Sequence, residues 1–272
     1  MRKSGLVSSL TLLYALSLVI HSAFACTIFT ANKGETVLFG GNEDQGPNDA
    51  YLIVDTSRSY GVVYIGTSWG RLSMVEMTGI NDRGLSFDCN WIPSEALNPH
   101  PERGTPGEWM VTHILKLCAT VEEVLEIAFT FDWGESMDYQ VHFTDAIGDA
   151  AVIHPGTDGE LTHTKKLDGD GYLVSTNFNL ASIETGDYSC WRYDTASEML
   201  SELETGDALT VEFMASVLDA THQEGEVSTI YSTVYDLKGR TVYLYYDHRF
   251  EEPVILDVAA ELERGGSTGS HQ

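Results

Sequence analysis

The chain is poor in basic residues, with 15 Lys and Arg against 41 Asp and Glu and a net charge of −26. A negative field of this size repels nucleic acid and anionic membrane surfaces, so we expect neither as a partner. The carboxylates are spread along the whole chain, which favours a role in keeping the protein soluble over steering of a cationic ligand.

Cysteine is also scarce. The four cysteines are too few for a disulfide scaffold, and Cys26, Cys89, Cys118 and Cys190 lack the paired spacing of a zinc site. If Cys26 stays a free thiol, at most one disulfide can form among the other three, and the sequence does not say which. The nine histidines include no H-E-x-x-H set, so we predict no metal site and no cofactor. His222 is expected in a loop near the last hairpin, where it could line a pocket.

Long apolar runs are missing except at the start of the chain, between Leu6 and Ile20. This run follows Arg2 and Lys3 and precedes Ala23-Phe24-Ala25, an arrangement typical of an export signal and too short to favour a spanning helix. We predict a signal peptide over residues 1–25, a secreted or periplasmic protein, and no stable membrane insertion once the signal is removed. Residues 26–264 are predicted to form one domain, and the polar residues 265–272 a disordered tail.

Short strands dominate the pattern after the signal. Strand-like runs cover residues 26–31, 35–40, 50–55, 61–67, 73–78, 84–89, 139–144, 150–154, 171–176, 230–235 and 241–246. Helical spacing predicts two short helices within residues 107–131, the second starting near Thr120, and further helices over 192–203 and 210–220. Residues 93–106 are expected to form a loop. Strand runs interrupted by two helical blocks predict an α+β fold of stacked antiparallel sheets flanked by helices.

Cys26 is the first candidate for chemistry. A cut after Ala25 would make it the first residue of the mature chain, with a thiol and a free α-amine on one residue. An α-amine can accept the thiol proton directly or through a water, which supplies the base that a cysteine nucleophile needs. Exported lipoproteins also carry a cysteine directly after the cleavage site, where it is acylated. Ala23 and Phe24 fit ordinary signal peptidase better than that lipoprotein motif, and a plain structural cysteine is the third reading.

The stretch Cys26-Thr27-Ile28-Phe29, a hairpin, and then Phe39-Gly40-Gly41-Asn42-Glu43-Asp44 resembles the start of N-terminal nucleophile (Ntn) hydrolases of the choloylglycine hydrolase and penicillin V acylase type. Their relatives, the isopenicillin-N acyltransferase-like amide hydrolases, open in the same way. The resemblance implies a four-layer αββα sandwich of antiparallel sheets and a nucleophile at Cys26, with Asp44 orienting its amine and thiol. The bile-salt and penicillin V branch carries Arg where this chain has Gly41, which places the chain nearer to the acyltransferase-like branch.

Three later motifs extend the resemblance over the rest of the chain. Asn90, at the end of a strand, aligns with a family position whose backbone N–H faces the oxyanion of the tetrahedral intermediate. Asn177 aligns with an Asn whose side-chain amide is the second donor, and Arg192 with a guanidinium of the catalytic cluster. Trp91 and Trp191 flank these positions, so we predict that they form walls of the substrate pocket.

The resemblance implies an exported cysteine hydrolase that cleaves linear, non-peptide amide C–N bonds of a small acyl-amine substrate through a thioester on Cys26. An acyltransferase using the same site is one alternative. Others are a non-catalytic acidic lipoprotein or binding module acylated at Cys26, and a cysteine dipeptidase, whose usually longer chains also open with Cys-Thr and Asn-Glu-Asp. The acyl and amine halves and a homo-oligomeric state are left open, although the acidic charge mildly favours a cationic amine.

Overall fold

The computed structural model describes residues 26–267, except 70–72, 168, 184, 185, 187, 204 and 205. The predicted signal peptide, residues 1–25, and residues 268–272 of the predicted tail lie outside the described residues. Within the described ranges, no helix combines the length and the apolar character needed to cross a bilayer.

Two antiparallel sheets form the centre of the described molecule. The first contains β1 (Thr27–Lys33), β2 (Thr36–Gln45), β10 (Tyr172–Ser175), β11 (Ser228–Asp236), β12 (Thr241–Tyr246) and β13 (Val254–Asp257), in the order β10-β1-β2-β11-β12-β13. The second contains β3 (Ala50–Asp55), β4 (Val62–Trp69), β5 (Ser73–Asn81), β6 (Ser86–Ala96), β7 (Ser136–Thr144), β8 (Ala150–Pro155) and β9 (Leu161–Lys165), ordered in sequence from β3 to β9.

The outer faces of the two sheets are covered by α1 (Met110–Leu115), α2 (Val121–Ala128), α3 (Trp191–Ser201) and α4 (Val211–Thr221). Helix α5 (Val258–Ser267) instead packs against the cluster between the sheets through Val258 and Leu262. Short 3₁₀ turns lie at Pro101–Arg103, Leu180–Ile183 and Gly206–Ala208. The two short helices predicted within residues 107–131 are confirmed as α1 and α2. Thr120 caps α2 because its side chain accepts a hydrogen bond from the Glu123 N–H.

Three apolar clusters show how the layers stack. Helices α1 and α2 pack on the second sheet, for example Ile114 with Phe87, and α3 and α4 pack on the first. Ile28 and Phe39 of the first sheet meet Ile80 of the second in a cluster between the sheets. The layers therefore follow the order helix, sheet, sheet, helix, which confirms the predicted α+β sandwich.

Strand alternation decides which layer each side chain of β1 and β2 enters, because neighbouring residues point to opposite faces. Phe29 and Leu38 lie in the cluster beneath α3 and α4, whereas Ile28 and Phe39 face the second sheet. Continued along β2, the same alternation directs Asp44 toward the helices and Glu43 toward the second sheet.

The structure differs from the sequence prediction at several element ends. Strand β6 continues to Ala96 through the predicted loop, with an irregular register between Trp91 and Glu95. A bulge there accommodates Pro93, which has no N–H to donate to a regular ladder. Strands β9 and β13 and helix α5 were not predicted, since each is short or follows a weak pattern. Helix α5 extends to Ser267, so residues 265–267 are helical where a disordered tail was expected.

Candidate active site

Cys26 lies directly before β1 and is only 3% exposed. Thr27 pairs with Asn42 of β2, and Ile28 pairs with Ser175 of β10. Cys26 therefore lies at the end of β1, between the ends of the neighbouring strands β2 and β10. Side chains from both sheets and from α3 can approach it there.

Two side chains hold the carbonyl oxygen of Cys26. Arg192, in the first turn of α3, donates from Nη1 at 2.9 Å, and Asn90 of β6 donates from Nδ2 at 3.2 Å. Arg192 Nη1 also lies 3.3 Å from the Thr27 hydroxyl. Because these donors come from a helix and from the opposite sheet, they fix the backbone of Cys26 from two layers while its thiol and its nitrogen stay uninvolved in these bonds.

Asn177 joins the same network through both ends of its amide. Its Oδ1 accepts a hydrogen bond from Arg192 Nη2 at 3.0 Å, and its Nδ2 donates to the Trp91 carbonyl at 2.9 Å. A side-chain amide nitrogen carries two hydrogens, so the bond to the Trp91 carbonyl uses only one of those on Asn177 Nδ2. Four of the predicted residues, Cys26, Asn90, Asn177 and Arg192, thus form one connected cluster.

Asp44, the fifth, is fully buried at the end of β2, 3.6 Å from Arg192 Nη1. Its carboxylate accepts hydrogen bonds from the Thr229 hydroxyl and from Gln223 Nε2, the latter at 2.8 Å. Burial raises the pKa of Asp44 to about 6, and these hydrogen bonds and the Arg192 charge hold that pKa below the value that burial alone would give. Asp44 can therefore be ionised at neutral pH and paired with the guanidinium.

Asn42 ties this part of β2 to its neighbours. Its Nδ2 donates to the Leu218 carbonyl of α4 at 2.9 Å, and its Oδ1 accepts from the Ser232 hydroxyl of β11 at 2.6 Å. The Asn and the Asp of the Asn-Glu-Asp motif thus have different tasks: Asn42 anchors the strand to α4, and Asp44 holds the cluster around Arg192.

A second pair of acids, which sequence reasoning missed, lies on the opposite face of β2. Glu43 and Asp88 are 3% and 4% exposed, and a negative charge on either one raises the pKa of the Cys26 thiol. Burial raises the pKa of Glu43 to about 8, and burial followed by the Glu43 charge raises the pKa of Asp88. At neutral pH Glu43 therefore retains a proton that an exposed carboxyl group would lose.

Gly41 makes room for this pair. A Cβ atom on Gly41 would lie 2.3 Å from Asp88 Oδ2, far inside van der Waals contact. The carboxyl of Asp88 is itself held in place by the Cys89 N–H at 2.7 Å. The bile-salt and penicillin V branch carries Arg at this position. In this chain, Asp88 occupies the space that an Arg side chain would need.

The surroundings of Cys26 work against its ionisation. Burial raises the pKa of the thiol, and the negative charges of Glu43, Asp44 and Asp88 raise it further whenever these groups are ionised, while a hydrogen bond with the backbone of Asp44 lowers it. A thiolate at this position therefore needs a base close by. A base on the same residue would meet that need.

The two tryptophans predicted to line a pocket differ in their surroundings. Trp91 meets the cluster through its backbone carbonyl, whereas the side chain of Trp191 is 55% exposed at the start of α3. Their roles in substrate binding stay predictions. All four cysteines are free thiols in the structure, so none of the disulfides left open by the sequence is formed.

Sequence reasoning missed Gln223, Thr229, Glu43 and Asp88. The sequence did contain a sign of the two acids. Glu43 and Asp88 occupy alternating positions of β2 and β6 that point into the core, where a charged residue is rare. No local pattern could have found Gln223 and Thr229, because Thr229 reaches Asp44 through the pairing of β11 with β2, and Gln223 reaches it from the loop before β11.

Comparisons with known proteins show which family and which folds the chain is similar to. Residues 30–250 match the family model described as acyl-coenzyme A:6-aminopenicillanic acid acyl-transferase. A mutant conjugated bile acid hydrolase from Clostridium perfringens has a similar structure, with a TM-score of 0.65 and 14% identity over 87% of this chain and 93% of that one.

Penicillin V acylase from Agrobacterium tumefaciens is also similar, with a TM-score of 0.64 and 16% identity over 87% of this chain and 89% of that one. No curated protein sequence matches the chain. The structural likeness confirms the αββα fold of the Ntn hydrolases. The family model covers most of the chain, and the chain therefore belongs to the acyl-coenzyme A:6-aminopenicillanic acid acyl-transferase family.

Proposed function

We propose that this protein is an exported cysteine Ntn hydrolase that cleaves linear amide C–N bonds through a thioester on Cys26. The observation that carries the proposal is the meeting of Arg192 and Asn90 on the carbonyl oxygen of Cys26. A structural cysteine in a strand needs no such pair of buried side-chain donors on its backbone. A residue whose own amine and thiol must be aimed at a substrate does need it.

In the proposed reaction, the α-amine of mature Cys26 takes the thiol proton, and the thiolate sulfur attacks the amide carbonyl carbon. The C–N bond of the tetrahedral intermediate then breaks, the leaving amine receives the proton from the α-ammonium, and a thioester remains. Water next gives a proton to the α-amine and attacks the thioester carbonyl. The acid leaves, and the thiol is restored.

Asn177 would supply one donor for the oxyanion through its remaining Nδ2 hydrogen, and the backbone N–H of Asn90 the other. Arg192 and Asp44 do not need to touch the substrate. They act as positioning residues, because Arg192 fixes the Cys26 carbonyl and the Asn177 amide together, while Asp44 holds the guanidinium.

Transfer of the acyl group to an amine is the second candidate function, and the matched acyltransferase family favours it. The chemistry up to the thioester is the same, and an amine then replaces water as the second nucleophile. Adding hydroxylamine to the assay separates the two. A transferase partitions the acyl group mainly to hydroxamate, whereas a hydrolase releases mainly the free acid.

A cavity of about 420 Å³ is our candidate for one half of the substrate. Its wall includes Ile230, the neighbour of Thr229, which bonds Asp44. The lining residues are Asn48, Asp49, Ala50, Tyr51, Ile230 and Tyr246. Tyrosine rings and one carboxylate suit a substrate half that is partly apolar and neutral or cationic.

The test begins with the intact mass and N-terminal sequence of the protein recovered from an exporting host. The proposal expects a chain that starts at a free Cys26 and is singly alkylated there. It also expects that acyl amides are cleaved in preference to dipeptides, and that Cys26→Ser lowers kcat/KM by about 10³-fold or more. Cys118→Ala, in the core beneath α1, is the matched control and should retain activity. A diacylglyceryl mass, or a mature chain that starts elsewhere, would overturn the proposal.

A further inference from the structure

Three side chains that are far apart in the sequence meet beside the active-site cluster. His222 ends α4, Glu224 follows it in a loop, and His248 lies in the turn after β12. One ring nitrogen from each histidine and one carboxylate oxygen lie within 4.8 Å of one another. The two imidazole rings are 4.4 Å apart between centroids and 37° from parallel.

The hydrogen bonds of His222 leave a lone pair facing an acid. Its Nδ1 bonds the backbone carbonyl of Asp219, and a carbonyl oxygen can only accept, so Nδ1 carries the hydrogen. In the neutral ring, Nε2 is then an acceptor, yet it faces Glu224 Oε1 at 3.4 Å. Either a second hydrogen on the ring or a metal ion between Nε2 and Oε1 makes this contact favourable, and the carboxylate of Asp219, 3.3 Å from Nδ1, adds to the negative charge around the ring.

The third side chain of the group, His248, has an unpaired ring nitrogen. Its Nε2 is buried and has no hydrogen-bond partner among the residues that the structure describes. A buried polar atom left unpaired destabilises the folded state. The turn that carries it is also strained, since Asp247 and His248 have φ values of 50° and 59°, in the left-handed region that side chains other than glycine seldom adopt.

We propose that His222 Nε2, His248 Nε2 and a Glu224 carboxylate oxygen bind a late first-row divalent metal ion, Zn²⁺ above all. Two imidazoles and one carboxylate are a common zinc ligand set, with a fourth position left for water. Ligand atoms on one tetrahedral zinc lie about 3.3 Å apart. The exposed Glu224 can close the remaining gap by a change of rotamer. The bond from Nδ1 to a backbone carbonyl is the outer-shell contact that usually orients a ligating histidine.

The ion would brace a segment that serves the catalytic cluster. Gln223 lies between two of the ligands, and its side chain donates to Asp44. Its backbone is also tied to Thr229 in both directions, by an N–H···Oγ1 bond and by the Thr229 N–H to the Gln223 carbonyl, each 2.9 Å long. A metal ion that clamps the residues on both sides of Gln223 therefore restrains both hydrogen-bond donors to Asp44. The metal site itself is independent of the proposed function, and only the effect of the bound ion on catalysis rests on it.

The binding test uses the full mature chain carrying Cys26→Ser, which removes the proposed nucleophile as a competing zinc ligand and makes the result independent of catalysis. After treatment with EDTA, the protein is titrated with Zn²⁺ by calorimetry and with Co²⁺ by visible absorption. We expect one ion per chain and the intense bands of tetrahedral Co²⁺. Mg²⁺, which prefers oxygen ligands, should not bind there.

His248→Asn removes the ring but keeps a residue that tolerates left-handed backbone. We expect it to weaken Zn²⁺ binding by at least the about 10- to 100-fold that loss of an outer-shell partner causes. His100→Asn is the matched control, because His100 also contacts two carboxylates, Glu102 and Glu160, at the surface. Equal affinity in the His248 variant and the unchanged protein, or no binding by either, would overturn the proposal.

Hydrogen exchange tests the brace without an activity assay. Zn²⁺ should slow exchange of the amides of Gln223 and Thr229, which form the paired backbone contacts, and His248→Asn should abolish the slowing. Exchange that stays the same with and without Zn²⁺, in a protein that binds the ion, would refute the coupling to Asp44.

Discussion

Replacing Glu43 by Gln tests the most unusual feature of the site, a buried acid beside the nucleophile. Glu43 is 3% exposed, and its Oε1 accepts a hydrogen bond from Gln45 Nε2 at 2.7 Å. Glutamine has nearly the same shape and can accept that bond through its own Oε1. The substitution therefore removes the ability to ionise while changing the packing little.

The magnitude follows from the pKa of Glu43, which burial raises from an ordinary 4.5 to about 8. Below pH 4.5 both the folded and the unfolded chain hold the proton, so this group does not make stability depend on pH. Between pH 4.5 and 8 the unfolded chain loses the proton and the folded chain keeps it, so the free energy of unfolding falls as pH rises. Above pH 8 the full penalty remains, about 5 kcal/mol at about 1.4 kcal/mol per tenfold change in the equilibrium.

Urea unfolding at pH 5, 6, 7 and 8, followed by tryptophan fluorescence, measures the effect. We expect Glu43→Gln to gain stability relative to the unchanged protein across this range, by an amount approaching the full penalty. The charge of Glu43 also raises the pKa of the Cys26 thiol, so alkylation of Cys26 at pH 9 should be faster in the variant. Glu35→Gln, at a fully exposed glutamate paired with Lys238, is the control. Its free energy of unfolding should follow that of the unchanged protein from pH 5 to pH 8. Parallel pH profiles for Glu43→Gln and the unchanged protein would show that Glu43 does not keep its proton in the folded state.

Gly41→Ala should destabilise the fold by about 1–3 kcal/mol, because its Cβ would lie 2.3 Å from Asp88 Oδ2. Gly40→Ala, whose nearest neighbour is 3.3 Å away, should cost clearly less, and equal thermal shifts would contradict the steric argument. Thr229→Val removes a hydrogen bond that lowers the pKa of Asp44 from the value set by burial. The acid limb of the pH–rate profile should then move to higher pH, and an unchanged limb would show that ionised Asp44 is not required.

The site residues that lie in short sequence motifs could be predicted from the sequence. The family resemblance placed Asp44 near Cys26, and the structure shows the physical basis: antiparallel pairing across a short hairpin brings the end of β2 back beside the start of β1. Asn177 follows the partner strand on the other side of β1, so it too is near Cys26 by register. Strand alternation and the Thr120 cap were likewise readable from local pattern.

Contacts between layers were not readable in this way. Asp88 reaches the space beside Gly41 because the two sheets pack face to face, and nothing in the period of either strand says which residues meet across that gap. The same holds for His222 and His248, which meet because α4 and the turn after β12 are neighbours in space.

The acidic character, the strand and helix periods and the motif residues around Cys26 could be recognised in the sequence, because each of these depends on composition or on neighbours along the chain. Three further features became visible only in the folded molecule: Gln223 and Thr229 hold Asp44, burial raises the pKa values of Glu43 and Asp88, and two histidines converge with Glu224. The physical reason is that burial and long-range contacts arise when whole layers pack together, and that packing leaves no periodic trace in the chain.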